Sequence, residues 1–350
     1  MLVMSPWNYP FLLTVNPVIG AIAGGNTVLV KPSAYRPATA EILRSVFEEA
    51  LPNGDVVTIT GGRAENQALL TYTYDYIFFT GSPAVGKVVM EAAAKNLTPL
   101  TLELGGKSPV IVDKTAKIEA TAKRILFGKL LNAGQTCIAP DHVICHKSIK
   151  NDLLAELKRQ TETLFSNRDY IDKYWPKVVN RHHFERLTAL AKDQVIVVGG
   201  KSNPTTRQIS MTVIDEPDWE SPVMQEEIFG PILPVLSYDS LDRLIQEQKT
   251  RPKPLALYLF TDDNAVKKRV LTELPFGGGC VNDTVLHISS SYAPFGGVGN
   301  SGMGNYHGKF SFETFTQKKT VLYNSWRFDV PVRHHPYKKP EQTIPEFLLK

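Results

Sequence analysis

Cysteine is scarce in this chain. Cys137, Cys145 and Cys280 are the only three, an odd number with no short spacing between them. That excludes a disulfide framework and a cysteine-based zinc site, and it points to reduced thiols. An excess of one charge is also missing. Lys and Arg number 39 against 35 Asp and Glu, a net charge of +4, with the signs interspersed up to a basic end from Arg327 to Lys350. Such a pattern offers no basic face for nucleic acid. No apolar run approaches the roughly 20 residues that span a bilayer. The fairly apolar stretch 1–30 is interrupted by Trp7-Asn8-Tyr9-Pro10, Asn16-Pro17 and Gly24-Gly25-Asn26. It lacks a basic leader and does not read as a signal peptide, and the C-terminus carries no prenylation box. No internal repeat is visible.

What remains is the composition of a globular protein, 43% hydrophobic and 21% charged, long enough at 350 residues for two domains and a sizeable core. The first hundred residues alternate strand and helix signals. Thr27–Val30, Val56–Thr60 and Tyr76–Phe79 read as strands. A helix opening at Pro37 has an expected apolar face of Ile42, Leu43, Val46, Phe47 and Ala50, and a second runs over Lys87–Lys95. Short loops between such elements imply a mostly parallel sheet covered on both faces. Beyond Gly105, helical periodicity runs over Lys117–Leu131, Asn151–Phe165, Phe184–Ala191 and Asn264–Leu274. Val195–Gly200 and Leu255–Thr261 look like strands, the first of them buried. From Phe328 on, periodicity is lost and a mobile tail is expected.

Two segments carry chemistry. Leu131-Asn132-Ala133-Gly134-Gln135-Thr136-Cys137 sets a cysteine on a tight Gly-containing turn, and Leu102-Glu103-Leu104-Gly105-Gly106-Lys107 sets a lone carboxylate at the end of an apolar run. A thiol nucleophile needs activation, and a nearby carboxylate can activate water in a second half-reaction. Gly81 to Gly86 joins a strand to a helix, so its N–H groups can face a phosphate, although the turn is not G-x-G-x-x-G. Cys145 and Cys280 sit among apolar or strand residues and read as core or near-core thiols.

With Ser5-Pro6-Trp7-Asn8-Tyr9-Pro10-Phe11, Phe79-Thr80-Gly81-Ser82 and Glu226-Glu227-Ile228-Phe229-Gly230-Pro231, these segments resemble the NAD(P)-dependent aldehyde dehydrogenase superfamily. The nearest branch is the class 3, or fatty-aldehyde, dehydrogenases, marked by Val178–Leu187 and Ser221–Glu227. The resemblance implies an α/β fold: a Rossmann-like parallel-sheet cofactor domain (residues 1–104), an α/β catalytic domain (105–305), a return or oligomerisation segment (306–326) and a tail (327–350). It implies Cys137 as nucleophile, Glu103 as general base for deacylation, and Asn8 with the Cys137 N–H as oxyanion donors. Lys31, Gly81, Ser82, Gly86, Gly105, Glu227 and Phe229 are the implied contacts of NAD or NADP, and Trp7 and Tyr9 those of a medium- or long-chain aliphatic or aromatic aldehyde. No metal is implied. Ala34 stands where many NAD-preferring relatives have Glu, which makes dual cofactor use an expectation.

The resemblance also implies roughly 100 further residues ahead of Trp7, a domain's worth. Met1–Met4 is then expected to be the stub of an exposed strand, with Ile19 and Ile22 uncovered. A homodimer is expected when that section is present, and a cytoplasmic location, with peripheral association with intracellular membranes left open. The rival readings are a truncated, inactive fragment acting only as a binding module, and a coenzyme A-acylating dehydrogenase.

Overall fold

The computed structural model describes residues 1–329, 334 and 335, less the side chains at 168 and 170. The expected tail beyond 329 therefore lies, apart from His334 and His335, outside the described residues. The chain divides into two compact units, Met1–Thr316 and Gln317–Lys350. Among its described residues the second unit has no helix or strand.

The first unit begins inside a sheet. Leu2–Met4 (β1), Val28–Lys31 (β2), Val56–Thr58 (β3), Ile77–Gly81 (β4) and Leu100–Leu104 (β5) run parallel in the order β5-β4-β1-β2-β3. Side chains alternate across the sheet. Val3, Val30 and Phe78 enter one core with Leu43 and Phe47, whereas Leu2, Met4, Ile77 and Phe79 enter another with Val89 and Ala93. Both faces of β1 are thus covered, and Met1–Met4 are 0–8% exposed. The stub-strand expectation is corrected: a strand paired on both edges has no free edge. Ile22 packs against the core while Ile19 is exposed. Burying side chains such as Leu2 and Val3 is worth roughly 1.5–3 kcal/mol each.

The covering helices are Leu12–Ala23 (α1) and Pro37–Ala50 (α2) on the Val3 face, and Arg63–Leu69 (α3) and Pro83–Ala94 (α4) on the Leu2 face. α2 buries Ala40, Leu43 and Phe47, whereas Ile42 and Val46 of its expected apolar face are exposed. The contact stripe follows i, i+3, i+7, and those two positions lie off it.

The second sheet holds Pro109–Val112 (β6), His142–His146 (β7), Ile196–Val198 (β8), Thr212–Asp215 (β11), Ile232–Tyr238 (β12), Ala256–Phe260 (β13) and Gly278–Val281 (β14), with a hairpin of Ser202–Asn203 (β9) and Gln208–Ile209 (β10) beside it in sequence. Its order is β14-β13-β6-β7-β12-β11-β8, parallel except for β8. β8 is an edge strand with Ile196 exposed, not the buried strand its Val-Ile-Val-Val run implies. The helix Ile118–Leu130 (α5) links β6 to the cysteine turn. Gly302–Met303 (β15), within the range expected for the catalytic part, instead returns to the first sheet and pairs antiparallel with β5.

Candidate active site

The chain leaves β1 for β2 and β3 on one side, then crosses back to β4 and β5 on the other. Open α/β sheets take ligands at such a switch, outside the carboxyl ends of the strands. Here those ends are Pro6–Asn8 after β1, Ser82–Ala84 after β4 and Glu103–Gly105 at the end of β5. Together with Cys137, His183, Arg186, Glu227 and Phe229 they line a cavity of about 480 Å³.

Cys137 is carried there by a strained turn. α5 ends at Leu130, and Asn132, Ala133 and Gly134 follow with φ of 48°, 52° and 75°. Three consecutive left-handed residues persist only where the surroundings hold them. Asn132 Nδ2 donates to Asn8 O at 3.0 Å, and Gln135 Nε2 donates to the carbonyls of Asn132 (3.0 Å) and Lys177 (3.2 Å). Gln135 Oε1 accepts from Val179 N at 3.0 Å. A Cβ on Gly134 would lie 2.2 Å from Gly230 O, so the cysteine turn packs directly on the Glu227–Pro231 loop. Tyr9 OH bonds Thr136 Oγ1 at 2.8 Å, and Tyr9 is not part of the cavity lining.

Glu103 is 3% exposed, and neither carboxyl oxygen has a hydrogen-bond partner. Burial therefore raises its pKa well above the ordinary carboxyl range. Burial also pushes the Cys137 thiol up to about 12. The Glu227 and Glu103 carboxyls add to this, and the N–H groups of Cys137 and Ile138 oppose it. Glu227 rises to about 8, first through burial and then through Asp141. Its carboxyl rests on Gly105, where an added Cβ would fall 2.0 Å from Oε2 and would require the carboxyl to shift. Burial thus works against the charged form of all three groups.

Asn8 Nδ2 donates to Gln135 O at 3.1 Å, leaving one amide hydrogen toward the cleft, and Asn8 Oδ1 is buried without a partner. Ser82 caps α4 by accepting from Val85 N at 3.4 Å, and Pro83 opens the helix. Gly81 and Ser82 line the cavity. Gly86 does not: its N–H is used on Ser82 O, and a Cβ there would meet Leu104 at 2.7 Å, so it lets α4 close onto β5. Lys31 ends β2 outside this lining, 3% exposed, with Nζ donating to the carbonyls of Pro32 and Gly61, both at 2.8 Å. Trp7 stands edge-on to Phe229 at 5.4 Å and 5.7 Å from His183. Phe229 itself has φ of 49°.

Sequence reasoning gave no role to the residues that pin the Glu227 segment. Arg186 donates to the carbonyls of Glu227 (3.2 Å) and Ile228 (2.6 Å), Lys107 to that of Glu226 (2.8 Å), and Asp141 Oδ1 accepts from Ile228 N at 2.9 Å. The i, i+3 pair His183 and Arg186 on one helix face was the available signal. Thr80 Oγ1, buried without a partner in the cavity wall, is another missed residue. Among the described residues no group of three or more His, Cys, Asp or Glu is placed to hold a metal ion.

A thiol and an isolated carboxyl line one cavity at the switch point of a doubly wound sheet, the place where proteins of this α/β class take their ligands. Comparison with known proteins agrees. The profile described as "Aldehyde dehydrogenase family" matches residues 1–321, and the chain belongs to the aldehyde dehydrogenase family. It is 47% identical to 4,4'-diaponeurosporen-aldehyde dehydrogenase of Staphylococcus aureus, covering 99% of this chain and 76% of that protein. It is 43% identical to the rat "Aldehyde dehydrogenase, dimeric NADP-preferring", covering 93% and 72%. For a chloroplastic family 3 member of Arabidopsis thaliana the identity is 44% and the chain spans 64% of the relative. Among solved structures, a substrate-bound S. aureus aldehyde dehydrogenase superposes with a TM-score of 0.95 at 46% identity, covering 99% of this chain and 76% of that one. A Mycobacterium tuberculosis aldehyde dehydrogenase complexed with NAD+ gives 0.84 at 30% identity, covering 94% and 70%.

Proposed function

We propose that this protein oxidises medium- or long-chain aliphatic or aromatic aldehydes to carboxylic acids with NAD or NADP, through a thioester on Cys137. Residues 1–104 serve as its dinucleotide-binding part and 105–305 as its catalytic part. The single observation that carries the reading is the convergence of Cys137, Glu103 and Glu227 on one cavity at the sheet's switch point. The cleft fits a dinucleotide in having an unpartnered hydroxyl at Thr80, the amino end of α4 and the close approach of the Glu227 carboxyl to Gly105. Ser82 and the α4 N-terminus would hold its phosphates, and Glu227 the nicotinamide ribose. When bound, the dinucleotide supplies the hydride acceptor.

Cys137 Sγ adds to the aldehyde carbon, and the thiol proton passes to solvent water as the S–C bond forms. The oxyanion is held by the free amide hydrogen of Asn8 and the Cys137 N–H. Removing one such donor costs roughly 2.7–4 kcal/mol of barrier. After hydride departure the acyl group remains on Sγ, and Glu103 takes a proton from water as the water attacks the thioester carbon. The C–S bond breaks, the acid leaves, and Glu103 returns the proton to Sγ, which restores the thiol and the carboxylate. Trp7, Phe229 and Leu13 in the lining favour an apolar aldehyde body. A cytoplasmic homodimer fits the rat relative's description as dimeric and the lack, among the described residues, of a helix long and apolar enough to cross a membrane. The test is NAD(P)H production by purified protein over an aldehyde panel, with Cys137→Ser alongside. Turnover by the wild type and none by the variant is expected. Equal turnover would overturn the reading.

A further inference from the structure

Glu227, Gly105 and Pro83 form a wall between two cavities. One is the Cys137 cleft. The other, of about 380 Å³, is bordered by none of Cys137, Glu103 or Asn8. Three buried side-chain nitrogens in its lining have no hydrogen-bond partner: His142 Nε2, Gln248 Nε2 and Arg251 Nε. An unmade hydrogen bond on a buried polar group is costly, so three around one cavity call for a polar occupant.

Trp219 gathers two of the three. The Arg251 guanidinium stacks on its ring at 3.5 Å, and His142, 2% exposed, meets it edge-on at 5.6 Å. Gln248 sits one turn before Arg251, whose backbone N–H bonds the Gln248 carbonyl at 3.2 Å. Arg251 and Gln248 present donors. His142 Nδ1 lies 3.4 Å from Asp141 Oδ2, and that carboxylate favours the proton on Nδ1, leaving Nε2 as an acceptor toward the cavity. The charge of Lys107 is taken up by Asp141. The remaining cations of the lining are Arg251 and Lys253, and its one carboxyl, Glu227, is mostly protonated near neutrality. Met224, Leu257 and Leu274 supply an apolar side.

We infer that this second cavity binds a small organic oxyanion with a neighbouring hydroxyl and an apolar body: the anion on Arg251 and Gln248, the hydroxyl donating to His142. The assignment does not depend on the proposed catalysis, since binding alone tests it. The probe is 2-hydroxyoctanoate, titrated calorimetrically into the full chain. Saturable one-to-one binding is expected, weakened about 10-fold or more by Arg251→Gln and by Gln248→Leu, since each loses a hydrogen bond to a charged group. Arg251 and Gln248 do not line the Cys137 cleft, so these losses distinguish this cavity from binding there. 2-Hydroxyoctanamide should bind at least 10-fold more weakly than the acid, and octanoate measurably more weakly. Displacement by octyl phosphate would assign the same contacts to a phosphoryl head. Unchanged unfolding midpoints in Arg251→Gln and Gln248→Leu separate lost binding from lost folding. No binding at millimolar concentration, full affinity in Arg251→Gln, or equal affinity for the amide would each overturn the inference.

Discussion

Replacing Glu103 by Gln separates the two halves of the proposed reaction and exposes the energetics of a buried acid. Both oxygens of Glu103 lack partners, and burial raises its pKa well above the ordinary range. Gln fills the same space without charge, so near pH 5 the two proteins should differ in stability by about 1–2 kcal/mol at most. Their pH dependence should differ more. In the wild type the folded state holds the Glu103 proton longer than the unfolded state does. The stabilisation is complete below the unfolded pKa, ~4.3, and is lost as pH rises toward the folded value, at about 1.4 kcal/mol per pH unit. Gln does not titrate, so the variant should overtake the wild type as pH rises, in urea unfolding followed from pH 5 to pH 8. In catalysis, losing the base that activates water should cost about 10²–10⁴ in deacylation, or ~2.7–5.5 kcal/mol of barrier. Rapid-quench experiments should then show one NAD(P)H per site and an accumulated acyl-enzyme, with the first turnover near the wild-type rate. If the single-turnover hydride step falls as far as kcat, or if the two stability curves run parallel, the reasoning fails.

Two further outcomes test the turn and the cofactor site. Gly134→Ala places a Cβ 2.2 Å from Gly230 O at a φ of 75°, and should cost roughly 2–4 kcal/mol from left-handed strain and overpacking; an unchanged urea midpoint would show that the cysteine turn is not fixed by this contact. Ala34→Glu, at an exposed position three residues beyond the end of β2, should move the NAD/NADP ratio of kcat/KM toward NAD by about 5- to 150-fold through ribose bonding and repulsion of the 2′-phosphate. An unchanged ratio would place position 34 away from the ribose.

Local signals in the sequence carried far. The start of α4, expected at Lys87, falls at Pro83 behind the Ser82 cap, but the β–α alternation, α5 running into Asn132–Cys137, and the lone Glu103 at a strand end were all legible, because period and turn residues are written in neighbouring positions. α1 was not, since Pro17 lies inside it and its neighbours override the helix-breaking cost. Nor was the depth of β1: Leu-Val-Met reads the same at an edge or a centre, and only pairing to both β2 and β4 buries it. The same division holds at the site. Sequence named Cys137, Glu103 and Glu227, but not that Glu227 lies on Gly105, that Tyr9 anchors Thr136 behind the cleft, or that Gly86 serves packing. Beyond the His183 and Arg186 spacing it gave no hint that Arg186, Lys107 and Asp141 hold the Glu227 segment, or that Trp219 gathers Arg251 and His142. Chemistry follows residue type and local turn, which the sequence alone determined. Register, burial and the meeting of residues a hundred positions apart depend on which surfaces exclude water together, and the tertiary structure decided those.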